Sequence, residues 1–358
     1  MLRRCYNSVK TIIKKISDAE SAEYSEILNT ASEIIKRGGL VAFPTETVYG
    51  LGADAFNPEA VNKIFKAKGR PQDNPLIVHI GSLDELPKLI GEKNKIADLL
   101  IENFWAGPLT LIFKKNNIIP SEVTGGLDTV AIRFPSLKIT RDFINAAGAV
   151  VAPSANTSGK PSPTKASHVI YDLENKIDMI IDGGDSEFGL ESTIVDVSGE
   201  KPYLLRPGLV TKEMIEKVIG QEIETNFFTG DSEKPKAPGM KYTHYSPSAK
   251  VIIVAGDLEK VVNEIQKTAI LKLNESKKVG ILATEQTKDL YDNDKFLVLS
   301  AGDRDNPETI GTNLYKLLRR FDFNEVDYIL SENFAETQVG LAIMNRLKKA
   351  AGFNIVNV

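Results

Sequence analysis

The sequence has little cysteine, little histidine and no long apolar run, and each shortage removes a class of protein. Its single cysteine, Cys5, excludes an intramolecular disulfide and a thiolate zinc cluster within one chain, and suits a reducing compartment. The three histidines, His79, His168 and His244, stand far apart and form no H-E-x-x-H pair, so a zinc hydrolase has no motif here. No uninterrupted apolar stretch approaches the length of a membrane span, so no membrane partner is expected. The formal net charge of -4 gives no bulk positive field for gripping phosphate backbones, and tight binding of tRNA is not expected. A G-x-x-x-x-G-K-[ST] loop is absent, and Gly50-Leu51-Gly52 lacks the third glycine of a dinucleotide fingerprint. Neither a P-loop ATPase nor a simple dehydrogenase is indicated.

What is present is an ordinary globular composition, 42% hydrophobic and 26% charged, in a chain of 358 residues, long enough for two domains. Residues 1–15 carry Arg3, Arg4, Lys10, Lys14 and Lys15 without an acid and read as a short basic tail before the first strand. From Tyr24 to Lys36, Ile27, Leu28, Ala31, Ile34 and Ile35 recur at helical spacing, and Gly38-Gly39 ends the pattern. Leu40 to Phe43 reads as a strand and Pro44 to Gly52 as the loop at its carboxyl end. Asn57 and Pro58 start a helix that runs to Gly69. Further strands are expected around 74–80, 109–113, 130–134, 149–152, 179–181 and 193–197, which makes residues 11–224 a mixed α/β sheet domain. Pro235, Pro238, Gly239 and Pro247 punctuate a linker over 225–248. Beyond it, strands at 251–255, 279–283 and 296–299 alternate with helices beginning near Leu258, Thr309 and Leu341. That pattern predicts a smaller doubly wound, Rossmann-like α/β domain over 249–358.

The polar residues that interrupt the apolar pattern are the candidates for chemistry. Lys68-Gly69-Arg70-Pro71 places two cations at what reads as an exposed helix end, able to grip an anion or merely to complement the helix dipole. Arg133 is a charge inside a strand and needs an anionic partner. His79 closes an apolar strand, where a hydrogen-bonded core histidine is the ordinary reading. Pro153 to Gly159 offers short hydroxyl and amide side chains suited to phosphate oxygens or ribose, or to a plain Ser/Asn turn. Ser192 and Arg206 repeat the theme. Singly, none of these is specific.

Together they are. Phe43-Pro44-Thr45-Glu46-Thr47-Val48-Tyr49-Gly50-Leu51, Lys68-x-Arg70-Pro71, Asn74-Pro75-Leu76, Pro153-Ser154-Ala155-Asn156 and Leu205-Arg206-Pro207-Gly208, in this order, resemble the YrdC-like threonylcarbamoyl-AMP synthases. The segment Pro238 to Pro247 and the α/β tail look like the longer, two-domain form, and the similarity runs from about Thr11 onward. The resemblance implies a cytoplasmic nucleotidyltransferase joining L-threonine, bicarbonate and ATP into L-threonylcarbamoyl-AMP, with Mg²⁺ on the phosphates, for a downstream tRNA threonylcarbamoyl transferase complex. It implies Lys68 and Arg70 as catalytic cations, and Thr45, His79, Thr129, Arg133 and Ser192 on the threonine side. Asn74, Ser154, Asn156, Ser162, Arg206, His244 and Tyr245 join Lys68 and Arg70 around the nucleotide, and no protein metal cage is implied. Tyr242, His244 and Tyr245 suggest a gate over the site. A hydrogenase-maturation carbamoyltransferase would bring cysteine-rich modules that are missing, and a non-catalytic RNA- or ribosome-binding module would need a clustered basic surface.

Overall fold

The computed structural model describes residues 9–16, 21–227, 235–238 and 245–358. The first domain is built on strands β1 (Ile12–Lys15), β2 (Val41–Phe43), β3 (Gly50–Asp54), β4 (Ile77–His79), β5 (Leu109–Lys114), β6 (Thr129–Arg133), β7 (Val150–Val151), β8 (Met179–Asp182), β9 (Thr193–Asp196), β10 (Tyr203–Arg206) and β11 (Glu224–Thr225). They form one mixed sheet in the order β1-β8-β2-β3-β7-β4-β6-β5-β9-β10-β11.

Two expectations are corrected here. Ile12–Lys15 is not tail but an edge strand, paired parallel with β8 from Ile12↔Met179 to Lys15↔Asp182. Gly50–Asp54 is not loop but a strand antiparallel to β2. Its glycines hid it, because glycine is poor in strands unless another group approaches closely. That group is Phe43: a Cβ on Gly50 or Gly52 would lie 3.0 or 2.9 Å from its ring.

The helices follow the sequence pattern. Ala22–Lys36 is capped by Ser21 Oγ, which accepts from Tyr24 N, and it buries Tyr24, Ile27, Leu28, Ala31, Ile34 and Ile35 against Phe143 and Ile144 of the helix Lys138–Ala147. Pro58–Lys68 is capped by Asn57 Oδ1 and stopped by Gly69 in the left-handed region at φ 64°. Both devices satisfy backbone groups that a helix end leaves orphaned.

The second domain is a five-stranded parallel sheet of β12 (Lys250–Ala255), β13 (Val279–Ala283), β14 (Leu297–Ser300), β15 (Tyr328–Glu332) and β16 (Ile355–Asn357), in the order β14-β13-β15-β12-β16. Alternation along each strand sends Val254, Ile281 and Leu330 toward the helix Leu258–Asn274. It sends Val251, Ile253, Leu282 and Ile329 toward Pro307–Phe323 and Val339–Ala350 on the other face. Helices on both faces make the sheet doubly wound, although β15 lies between β12 and β13, which differs from the dinucleotide-binding order.

The helices Pro307–Phe323 and Val339–Ala350 also dock the second domain on the first. Arg319 Nη2 meets Asp172 Oδ2 at 2.8 Å and Pro161 O at 2.6 Å, and Thr312 Oγ1 donates to Glu187 O at 3.2 Å. At Gly189, φ is +74° and a Cβ would fall 2.6 Å from Thr312 O. Gly189→Ala is therefore expected to cost about 1–3 kcal/mol of docking through forced backbone shifts. Limited proteolysis of the linker should become faster and the first thermal transition should move down; an unchanged melting profile would contradict the assignment.

Candidate functional site

The site follows from which face of the first sheet each side chain takes. Val78, Ile132, Leu111, Val195 and Leu204 point into the main core, so Ile77, Ala131, Ile112 and Ile194 emerge on the opposite face. There they form only a small apolar cluster, closed by Leu205 and by Ala237 of the linker. Toward one end of the same face the residues become polar: His79 beside Arg133, Arg133 beside Thr110, then Ser192 and Arg206. A cleft stands over this end, walled by Thr45, Val48, Tyr49 and Gly50 on one side and Pro153 and Ser154 on another. Arg70, Glu191, Pro238 and Tyr245 complete it. The site thus lies on a sheet face that the linker partly covers, and not solely in strand-end loops.

Three guanidiniums line the cleft, and each is aimed by partners. Arg133 donates from Nη2 to Glu46 Oε1 at 2.6 Å and from Nη1 to Thr47 Oγ1 at 2.8 Å, in a fully buried pair. Arg206 donates from Nε to Ser192 O at 2.9 Å, from Nη2 to Ser192 Oγ at 3.1 Å and from Nη1 to Pro238 O at 3.4 Å. Arg70 reaches Pro75 O from Nη2 at 3.4 Å. Thr45 Oγ1 donates to Val48 O at 2.7 Å and accepts from Thr47 N and Val48 N, which fixes the turn after β2. Buried carboxylates beside guanidiniums hold the cations in register, while Ser192, Ser154 and Thr45 supply small polar contacts.

Lys68 departs from the expected exposed helix end. It is buried, and its ammonium donates to Ser154 O and, at 2.6 Å, to Asn156 O. Because the last helical turn faces inward against the 154–158 segment, the cation clamps that loop, and Ser158 N in turn bonds Lys68 O at 2.9 Å. Burial, chiefly, pushes the Lys68 ammonium well below its usual range. Asn156 shapes the same loop, donating from Nδ2 to Thr157 O and Lys160 O.

Other candidates fall away from the cleft wall. Thr129 begins β6 and pairs with Lys114, at the opposite end from Arg133. Four steps of strand separate the two by roughly 13 Å, so the structure does not bring Thr129 to the cleft wall that Arg133 lines. Ser162 is buried with its hydroxyl donating to Glu191 Oε1 at 2.6 Å, behind the carboxylate that lines the cleft. Asn74 is buried and outside the lining, its amide N and O both without a partner among the described residues. Tyr245 lines the cleft with its ring 5.3 Å from that of Tyr315, whereas Tyr242 and His244 lie outside the described residues. The residues the sequence did not single out are Glu46, Thr47, Thr110 and Glu191. Glu46 carried a signal, a carboxylate inside the otherwise uncharged run Phe43 to Leu51.

This arrangement defines a two-domain α/β protein whose catalytic sheet presents a cation-lined cleft to a small anionic ligand. The chain belongs to the threonylcarbamoyl-AMP synthase family. A family model described as "Telomere recombination" matches residues 33–208, and one described as "Threonylcarbamoyl-AMP synthase, C-terminal domain" matches residues 210–352. The threonylcarbamoyl-AMP synthase of Pyrococcus abyssi is 47% identical over 92% of this chain and 96% of its own length. That of Bacillus subtilis is 46% identical over 95% and 97%. A crystal structure of P. abyssi Sua5 complexed with L-threonine superposes with a TM-score of 0.90 at 46% identity, covering 97% of this chain and 100% of that one.

Two outcomes test this geometry. Lys68→Met is expected to destabilise the first domain by about 2–5 kcal/mol, because two buried carbonyls lose their donor, so denaturant unfolding and not activity alone must change. His79 donates from Nδ1 to Ile77 O at 3.1 Å, and burial, followed by the charge of Arg133, lowers its pKa from 6.5 to about 3. An unfolded histidine takes a proton that the folded one refuses, so stability is fully present above pH 6.5 and lost as pH falls toward 3. The expected slope from one such group is about 1.4 kcal/mol per pH unit. His168, lowered to about 4 mainly by burial, adds its own. His79→Gln should remove one proton's share of the acid slope in denaturant titrations followed by circular dichroism; an unchanged slope would place the imidazole in water.

Proposed function

We propose that the chain condenses L-threonine, bicarbonate or CO2, and ATP into L-threonylcarbamoyl-AMP with release of pyrophosphate. The observation that carries this reading is the single cleft bordered by Arg70, Arg133 and Arg206 and by the hydroxyl residues Thr45, Ser154 and Ser192. Cations and small polar groups in one cleft fit an amino-acid carboxylate and a triphosphate, and they fit few neutral ligands.

The chemistry requires little from the protein beyond placement. The threonine amine adds to CO2 and loses a proton, giving a carbamate. A carbamate oxygen attacks the α-phosphorus, the bond to the bridging oxygen of the β-phosphate breaks, and pyrophosphate leaves. Arg133, braced by Glu46, is placed to hold the threonine carboxylate. Neutral His79, with Nδ1 committed to Ile77 O, keeps Nε2 as an acceptor. Arg206 and Arg70 balance the charge gathering on the phosphates, and the Ser154 segment, clamped by Lys68, positions the nucleotide. Alignment of the two reacting groups and preorganised positive charge supply the acceleration.

The lining offers three guanidiniums and one carboxylate, Glu191, which Arg346, Tyr315 and Ser162 already engage. Such a donor set does not suit a resident metal, so Mg²⁺ enters with the triphosphate as part of the substrate. The mixed anhydride is then passed to a transferase that modifies tRNA.

Product analysis with threonine, bicarbonate and Mg-ATP tests the reading: a threonine-dependent AMP adduct and pyrophosphate are expected. ADP as the nucleotide product, or pyrophosphate formed equally without threonine, would reject it. In the same assay Arg70→Ala should lose about 2–3 kcal/mol of transition-state stabilisation, roughly 30- to 150-fold in rate.

A further inference from the structure

Beside Arg319, a second buried cation of the second domain reaches the first, and it meets the segments that line the cleft. Arg346, on the helix Val339–Ala350, is fully buried. Its Nε lies 3.2 Å from Glu191 Oε2, and its Nη1 donates to Pro207 O at 2.6 Å. Glu191 precedes Ser192, and Pro207 follows Arg206. One guanidinium therefore ties together the two backbone segments that bring Ser192 and Arg206 to the cleft. Those segments already touch: a Cβ on Gly208 would fall 2.6 Å from Thr193 N and 3.0 Å from Glu191 O. Tyr315, from the other docking helix, places its hydroxyl 3.1 and 3.0 Å from the two oxygens of Glu191, and Ser162 adds 2.6 Å to Oε1.

We propose that Arg346 is a positioning residue for the nucleotide: by saturating Glu191 it leaves Arg206 aimed into the cleft. The alternative fate of the carboxylate makes this more than domain glue. Glu191 and Arg206 line the same cleft, and Arg206 is the other guanidinium whose charge Glu191 feels. Without Arg346, a buried carboxylate lacks its main counter-charge; two cations that feel Glu191 remain, Lys349 on the helix of Arg346 and Arg206, and of these Arg206 shares the cleft lining with the carboxylate. Arg206 would turn toward Glu191 and away from the phosphates. The second domain thus acts on the reaction by occupying a competitor for an active-site cation.

The proposal rests on the nucleotide reading above, and the test separates the two. Binding of α,β-methylene-ATP and of threonine is measured by calorimetry on the full chain, with steady-state kinetics alongside. Arg346→Met should weaken nucleotide binding about ten- to hundredfold and threonine binding less. Adding Glu191→Gln to that variant should restore nucleotide affinity to within about fivefold of wild type, since a neutral amide does not capture Arg206. Tyr315→Phe, which keeps the ring against Tyr245, should show the same direction more weakly. Should Arg346→Met fail to fold, Tyr315→Phe alone and with Glu191→Gln carries the comparison. Unchanged nucleotide affinity in the single variant, or equal loss of both ligands with no recovery in the double variant, would reduce Arg346 to an interdomain contact. A wild-type chain that binds no nucleotide would overturn the synthase reading and this assignment with it.

Discussion

A guanidinium leaves water at a cost that its partners must offset, and that condition organises both domains of this molecule. Arg133 is held by Glu46 and Thr47, Arg206 by Ser192 and Pro238, Arg319 by Asp172 and Pro161, and Arg346 by Glu191 and Pro207, while Arg133 Nε and Arg346 Nη2 are buried with no partner among the described residues. In each case the partner lies on a segment remote in sequence, so the pairing fixes chain geometry as well as charge. Isolated, such pairs often fail to repay their desolvation. Here they hold positive charge rigidly around a cleft, which a hydrophobic replacement could not do.

The same logic divides labour within the site. Lys68 spends its hydrogen bonds on two carbonyls of the loop it clamps, whereas the guanidiniums, with five donors each, can bond the protein and still address a ligand. Ammonium and guanidinium two residues apart in Lys68-Gly69-Arg70 accordingly do different things. The left-handed turn at Gly69 sends one inward and lets the other reach the cleft.

The fold was legible where local chemistry dominates. The Asn57 cap, the Tyr24 to Ile35 stripe and the alternation of strands with helices in the second domain appear as the pattern requires. β3 was not legible, because its glycines answer to Phe43, which is close only after β2 and β3 pair. β1 was not, because four residues with two lysines form a strand only when β8 offers an edge. In the site, the cleft residues could be picked out as polar interruptions of apolar runs. Their orientation could not: Lys68 turns inward and Thr129 sits at the far end of its strand for reasons of direction and pairing. Glu191 escaped notice because its meaning depends on Arg346, 155 positions later.

The edge strand has a consequence for how the chain is made. Ile12–Lys15 emerges from the ribosome before every other strand of its sheet, yet its pairing partner is β8, and the bond from Thr11 Oγ1 to Ile177 O spans 166 positions. The segment must therefore wait, unpaired, through most of the first domain's synthesis. During that interval two adjacent isoleucines stand in a short β-prone stretch that could pair wrongly, and the lysines that follow them at once keep such encounters soluble. The final stitch of the catalytic sheet is made by its earliest residues.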